Sequence, residues 1–352
     1  MRRILALLMV LVTVLPLCVS CQTASLSQEE IAETTVTNET KEEKKTMTEE
    51  TKTQEGYLPQ SPFEQNVTKI LVLGSSGSND IFFHLARVFA AQGFPGRYTL
   101  AFLYYSGCSF DMHVNFGASG DAVYDYYESS SSEYTREEGY TMDRALKKHQ
   151  WDMVLIQTTR ADCSDETLHQ KSRELLFQMV DRYVPTEHTF GYMGVWSNPI
   201  APELWSDSWW RKPPETARKR FEDDFGFDPI LQFNKNNEKV KQYILTDDRY
   251  RFVFSPGSAI MYAERVMGLS QLALYRDYTH LSDLGRIIGS YCFYAQFTGK
   301  PIEEVKLDVL PAKKRQAHYQ ADGDLVLNDT LKEVIKECAN YALENPMTLP
   351  GA

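Results

Sequence analysis

The sequence predicts an α/β fold, a three-layer α/β/α sandwich built on a mostly parallel sheet. Two observations carry that expectation. The first is the stretch Lys69-Ile-Leu-Val-Leu-Gly-Ser-Ser-Gly-Ser-Asn-Asp80, where residues 70–73 form a short unbroken apolar run. Such a run suits a strand buried on both faces of a parallel sheet. The second is alternation: further apolar strand segments at 98–105, 153–157, 190–195 and 251–254 are interspersed with helical patterns.

In the opening stretch Gly74 ends the strand, and Asn79 and Asp80 read as the cap of a helix with Ile81, Leu85, Val88 and Phe89 on one face. This places Ser76 and Ser78 at the carboxyl edge of the sheet, beside the free amides of a helix start, where open α/β sheets bind ligands. A serine there serves as a nucleophile if a base is supplied from elsewhere; a plain β–α turn is the alternative. Later helical patterns cover 168–180 and the polar region 215–243. The last core helix begins after Ser282, with Leu284, Ile287, Ile288, Tyr291 and Ala295 on one side, and a helix near 330–343 is expected outside the core.

Residues 1–21 read as a targeting segment: Arg2 and Arg3 precede an apolar stretch at 4–17 that is short for a membrane span. It closes on Leu17-Cys18-Val19-Ser20-Cys21, which resembles a bacterial lipoprotein box with Cys21 as the lipidated residue, although Cys18 stands where that box usually has leucine. Plain secretion and an uncleaved anchor are the alternatives. Residues 22–66 carry ten Glu against four Lys and few aromatics, the composition of a disordered tether. A tether of that length reaches about 35–40 Å. A single domain is expected over 67–352, with a C-terminal extension from about 300.

The 352-residue chain has a formal net charge of −11 and no basic stripe interleaved with aromatics, which argues against a nucleic-acid partner. Outside the targeting segment the cysteines are Cys108, Cys163, Cys292 and Cys338, without a CxxC pair, and buried free thiols are expected. The sequence has no His-Glu-x-x-His and no phosphate-cradling loop, so neither metal nor cofactor is expected. The tryptophans Trp196, Trp205, Trp209 and Trp210 could stack on sugars, with local packing the simpler expectation.

Near the end stands Asp277-Tyr278-Thr279-His280-Leu281-Ser282. An Asp three residues before a His can bind the imidazole Nδ1–H, which leaves Nε2 as a base. With this pair the chain resembles the SGNH (GDSL-type) hydrolase superfamily, and within it a bacterial branch known only as a domain of unknown function. The resemblance covers roughly 68–300 and rests on four blocks: Gly74-Ser-Ser-Gly-Ser78, Gly107-Cys-Ser-Phe-Asp-Met-His113, Trp151-Asp-Met-Val-Leu-Ile-Gln157, and the Asp277-x-x-His280-Leu-Ser motif followed by Gly285.

The resemblance implies a flavodoxin-like topology with Ser76 as nucleophile, His280 as base and Asp277 as the orienting acid. It implies an oxyanion hole from the backbone N–H groups of Ser76 and Gly107, with Gln157 in place of the superfamily's usual Asn. Beside Gly107, His113 and Asn115 are expected to touch substrate, with a structural role for His113 as the alternative. The chain departs from the branch at Ser75, where Asn is usual, and at Gly77, where an aromatic is usual; a looser turn is expected, with Ser78 a competitor to Ser76. The expected function is an exported, membrane-anchored serine esterase acting on acyl, for instance acetyl, esters of small molecules or glycans. A glycan-binding lipoprotein without catalysis and an O-acyltransferase are the alternatives.

Overall fold

The computed structural model describes residues 61–157, 159, 166–205, 215–311 and 324–351. The expectations for the targeting segment with Cys21, for the tether up to residue 60, and for Cys163, Trp209 and Trp210 lie outside the described residues. The described residues fall within one unit, Glu55–Ala352.

Chain order runs β1 (Lys69–Gly74), α1 (Ser76–Ala91), β2 (Thr99–Tyr104), α2 (Phe110–Ser119), β3 (Tyr124–Ser129), β4 (Thr135–Tyr140), α3 (Met142–Lys148) and β5 (Met153–Gln157). It continues with α4 (Glu166–Tyr183), β6 (Thr189–Met193), a 3-10 turn (Pro202–Trp205), α5 (Glu215–Phe225), α6 (Pro229–Tyr243), β7 (Tyr250–Phe254), α7 (Gly257–Arg265), α8 (Gln271–Leu274) and α9 (Asp283–Thr298). A two-residue pair, β8 (Val309–Leu310) and β9 (Leu325–Val326), precedes α10 (Asp329–Glu344).

Among the described residues the main sheet has the order β4-β3-β2-β1-β5-β6-β7. Its parallel strands run β2-β1-β5-β6-β7, the flavodoxin-like order, and β3 and β4 extend it antiparallel. Strand order reverses at β1, which opens a crevice at the carboxyl ends of β1 and β5. The fold is thus the expected three-layer α/β/α sandwich with a mostly parallel sheet.

The period of two along β1 explains the layers. Ile70 and Val72 enter one core with α1, α7, α9 and α10, whereas Leu71 and Leu73 enter the other with α2, α3 and α4. All four are fully buried, so the strand carries no polar face.

Four local expectations change. Helix α1 starts at Ser76 with Ser75 as N-cap residue, so Asn79 and Asp80 are buried within its first turns and do not cap it. The 215–243 region is two helices, because Gly226 and Phe227 take positive φ and Asp228 caps α6 ahead of Pro229. Helix α10 belongs to the core, with Val334, Ile335, Cys338, Ala339 and Ala342 buried. The chain joins the domain before residue 67: the Ser61 hydroxyl donates to the Phe297 carbonyl at 2.7 Å, and Phe63 meets Phe94 edge-on. Cys108, Cys292 and Cys338 are free and buried.

Candidate active site

A cavity of about 430 Å³ opens at the carboxyl end of the sheet, lined by parts of all four sequence blocks: Ser75–Gly77, Gly107, Gln157 and Tyr278–His280. The strands converge there because each block directly follows, or ends, a strand or precedes α9.

Ser76 is the first residue of α1 and half-buried. Its amide and that of Gly77 have no acceptor among the described residues, as expected for the open N-terminus of a helix. Gly107 follows β2 at φ +67°, a conformation that favours glycine, and its amide also lacks an acceptor among the described residues.

Gln157 ends β5 and holds the serine turn. Its Oε1 accepts from Ser75 N at 2.8 Å, Ser78 N at 3.0 Å and Ser75 Oγ at 3.1 Å. Backbone N–H groups can only donate, so the atom facing them is the carbonyl oxygen and the amide orientation follows. The buried Nε2 is thereby turned away, with no acceptor among the described residues. A Cβ at position 77 would overlap that nitrogen, which explains why glycine, and not the aromatic residue expected from the resemblance, stands there. Trp196 supplies aromatic surface instead, its Cη2 3.6 Å from where that Cβ would stand.

The turn is therefore pinned, in contrast to the looser one expected. Ser78 is fully buried, donates its hydroxyl to the Ser75 carbonyl at 2.8 Å and does not line the cavity. Of the two serines, Ser76 alone faces it.

Asp277 Oδ2 lies 2.8 Å from His280 Nδ1, while Oδ1 accepts from the backbone N–H of Thr279 at 2.9 Å and of His280 at 2.8 Å. Burial acts to raise the Asp277 pKa, but the adjacent imidazole, the Arg276 guanidinium and the Thr279 amide outweigh it, and the carboxyl sits below its ordinary range. His280 is half-buried, and no hydrogen bond joins its imidazole to Ser76 Oγ.

The segment bearing Asp277 and His280 is held from two sides. From α1, Asp80 accepts the Leu281 amide at 2.9 Å and Arg276 Nη1 at 2.9 Å. From the segment after β6, Trp196 Nε1 donates to the Thr279 carbonyl at 3.0 Å, and Asn198 Nδ2 to the Tyr278 carbonyl at 2.7 Å. Asn198 is itself locked to Gln232 by reciprocal amide bonds of 2.7 and 2.9 Å. Sequence reasoning missed Asp80, Asn198 and Gln232, which lie far in the chain from the loop they hold. Trp196 and Trp205 are buried, and Trp205 stacks on Phe221, as local packing predicts.

His113 and Asn115 do not line the cavity. His113 is fully buried on α2 with Nδ1 2.9 Å from Tyr124 Oη, and burial lowers its pKa to about 3. Asn115, two residues on, is exposed on α2. The helical turn carries both away from Gly107. Asp152, in the Trp-Asp block, accepts from Thr68 N and Lys69 N at 2.8 Å each and so ties the start of β1 to β5. Among the described residues no group of three His, Cys, Asp or Glu is placed to hold a metal, and no helix is long and apolar enough to cross a membrane.

The fold is a three-layer α/β/α sandwich with a serine after its first strand and an Asp–His pair before its last core helix. The chain is similar to a DUF4886 family protein from Bacteroides uniformis ATCC 8492, with a TM-score of 0.63 and 17% identity over 80% of this chain and 96% of that chain. At that identity the likeness is one of fold. A candidate SGNH hydrolase from Slackia heliotrinireducens gives a TM-score of 0.37 and 13% identity over 64% of this chain and 95% of that chain. No family model and no curated protein matches the chain.

Proposed function

We propose that the protein is an exported serine esterase that cleaves acyl esters, such as acetyl groups on glycans or related small molecules. The observation that carries this reading is the single cavity in which Ser76, Gly107, Gln157 and an Asp277-oriented His280 meet. Ser76 Oγ attacks the ester carbonyl while His280 Nε2 takes its proton, then returns it to the departing alcohol. Water, activated by the same imidazole, releases the acyl group and restores Ser76. In this reading the developing oxyanion is received by the amides of Ser76 and Gly107, with Gln157 Nε2 as the third donor. The open Ser76–His280 geometry is compatible with a bond that tightens in the substrate complex.

The test is hydrolysis of an aryl acetate by the full chain and by Ser76→Ala. The substitution removes one oxygen from a half-buried position, so folding should be kept while turnover falls to background. Equal rates in the two proteins would leave the glycan-binding reading, which the missing Ser76–His280 bond favours. An alcohol acceptor added to the assay separates hydrolysis from acyl transfer. Anchoring through Cys21 predicts membrane partition that Cys21→Ala abolishes.

A further inference from the structure

We infer that the cavity selects esters that carry a carboxylate, and that Arg220 on α5 is the specificity-determining residue. The inference takes its chemistry from the esterase reading, but its charge preference stands on separate observations.

In this chain Asp and Glu outnumber Lys and Arg, 48 to 37. The described residues lining the cavity reverse that balance: they include no Asp or Glu, and Arg220 and His280 are their basic members. Asp277 stands behind His280, bonded to it, outside that lining.

Three consecutive basic residues lie on α5, and two are occupied. Arg218 places its guanidinium 5.5 Å from the Phe227 ring centroid, and Lys219 pairs with Asp223 at 2.7 Å. Arg220 makes no ion pair or hydrogen bond with any described residue. One helical turn before it Thr216 also lines the cavity, as does Phe221; Thr216 and Arg220 are exposed, so this part of α5 forms the rim of the ligand space.

The remaining polar groups in the same cavity are donor-rich. The amides of Ser76 and Gly77 form the positive end of α1, and the buried Gln157 Nε2 adds another N–H without an acceptor among the described residues. A neutral ester leaves the guanidinium to water. A carboxylate accepts two parallel N–H bonds from it, which fixes orientation as well as charge.

The experiment compares kcat/KM of the full chain on two matched ester pairs at low salt. Acetylated glucuronate against acetylated glucose places the charge on the alcohol side. Para-nitrophenyl hydrogen succinate against para-nitrophenyl butyrate places it on the acyl side. We expect the anionic member of one pair to be favoured about five- to tenfold, between an exposed ion pair and a bidentate one. That preference should shrink with added salt, disappear in Arg220→Gln and partly return in Arg220→Lys. Equal or reversed preference in both pairs, or a preference that survives Arg220→Gln, would overturn the inference. If wild type hydrolyses none of the four esters, the esterase reading falls and calorimetry with glucuronate and glucose decides the charge preference. Glucuronate binding that is lost in Arg220→Gln supports it; equal binding of both sugars, or of neither, overturns it.

Discussion

The guanidinium of Arg286 on α9 donates twice to one oxygen of Asp80 on α1, from Nε and Nη2 at 3.0 Å each, with both side chains out of solvent. Arg276 Nη1 donates to the same oxygen, and the Leu281 amide to the other. One carboxylate thus joins the helix that starts with Ser76 to the segment that carries His280.

Asp80→Asn should destabilise the fold by about 3–5 kcal/mol, because it leaves two guanidiniums near an uncharged acceptor. Burial acts to raise the Asp80 pKa, but Arg276, Arg286, the nearby His280 and the Leu281 amide hold it well below the ordinary range. A lowered folded-state pKa means the contribution is complete above the unfolded carboxyl's range and is lost as pH falls below about 4. Urea midpoints of wild type and Asp80→Asn should therefore converge in acid. A gap that stays constant between pH 5 and pH 2 would contradict this assignment.

Gln157 has separable roles. Gln157→Glu keeps an oxygen for the Ser75 and Ser78 amides but removes the Nε2 donor. Turnover should fall about 10²–10³-fold, with thermal stability close to wild type. Gln157→Leu strands buried amides and should also cost about 1–3 kcal/mol for each. Should both variants lose activity and stability together, the donor role would not be distinguishable from the structural one.

Trp196→Phe preserves most of the aromatic bulk and deletes the N–H that holds the Thr279 carbonyl. Misplacing His280 should lower kcat by about tenfold with KM little changed. A change confined to KM would instead make Trp196 a binding surface.

His113 should make the fold sensitive to acid. Its folded pKa is lowered to about 3 by burial, whereas an unfolded histidine titrates near about 6.5. Between those values the unfolded chain binds the extra proton, so stability must fall as pH decreases, by about 1.4 kcal/mol per unit at most. His113→Gln should flatten the slope of the urea midpoint between pH 4 and 6.5. An unchanged slope would show that other groups carry it.

The sandwich and the order of the blocks were legible because each rests on local pattern. An unbroken run such as 70–73 has to be covered on both faces, and the spacing of Asp277 and His280 lets the carboxylate reach the imidazole within one loop. The hairpin β3–β4 was not legible: Thr-Arg-Glu-Glu-Gly-Tyr at 135–140 is exposed except at Tyr140, so its strand state comes from pairing with β3 rather than from its own apolar pattern. The resemblance pointed to Ser76, but the local pattern by itself did not remove Ser78 as a competitor. Both are small residues in one turn, and the choice came from Gln157, about eighty positions away, whose Oε1 anchors the turn so that Ser78 is buried and Ser76 faces the cavity. Local periodicity determines the buried strands and helices of the core, though not an exposed strand such as β4. Only the closing of the sheet between β1 and β5 determines which side chains share a cavity, because that depends on contacts between residues with no proximity in the chain.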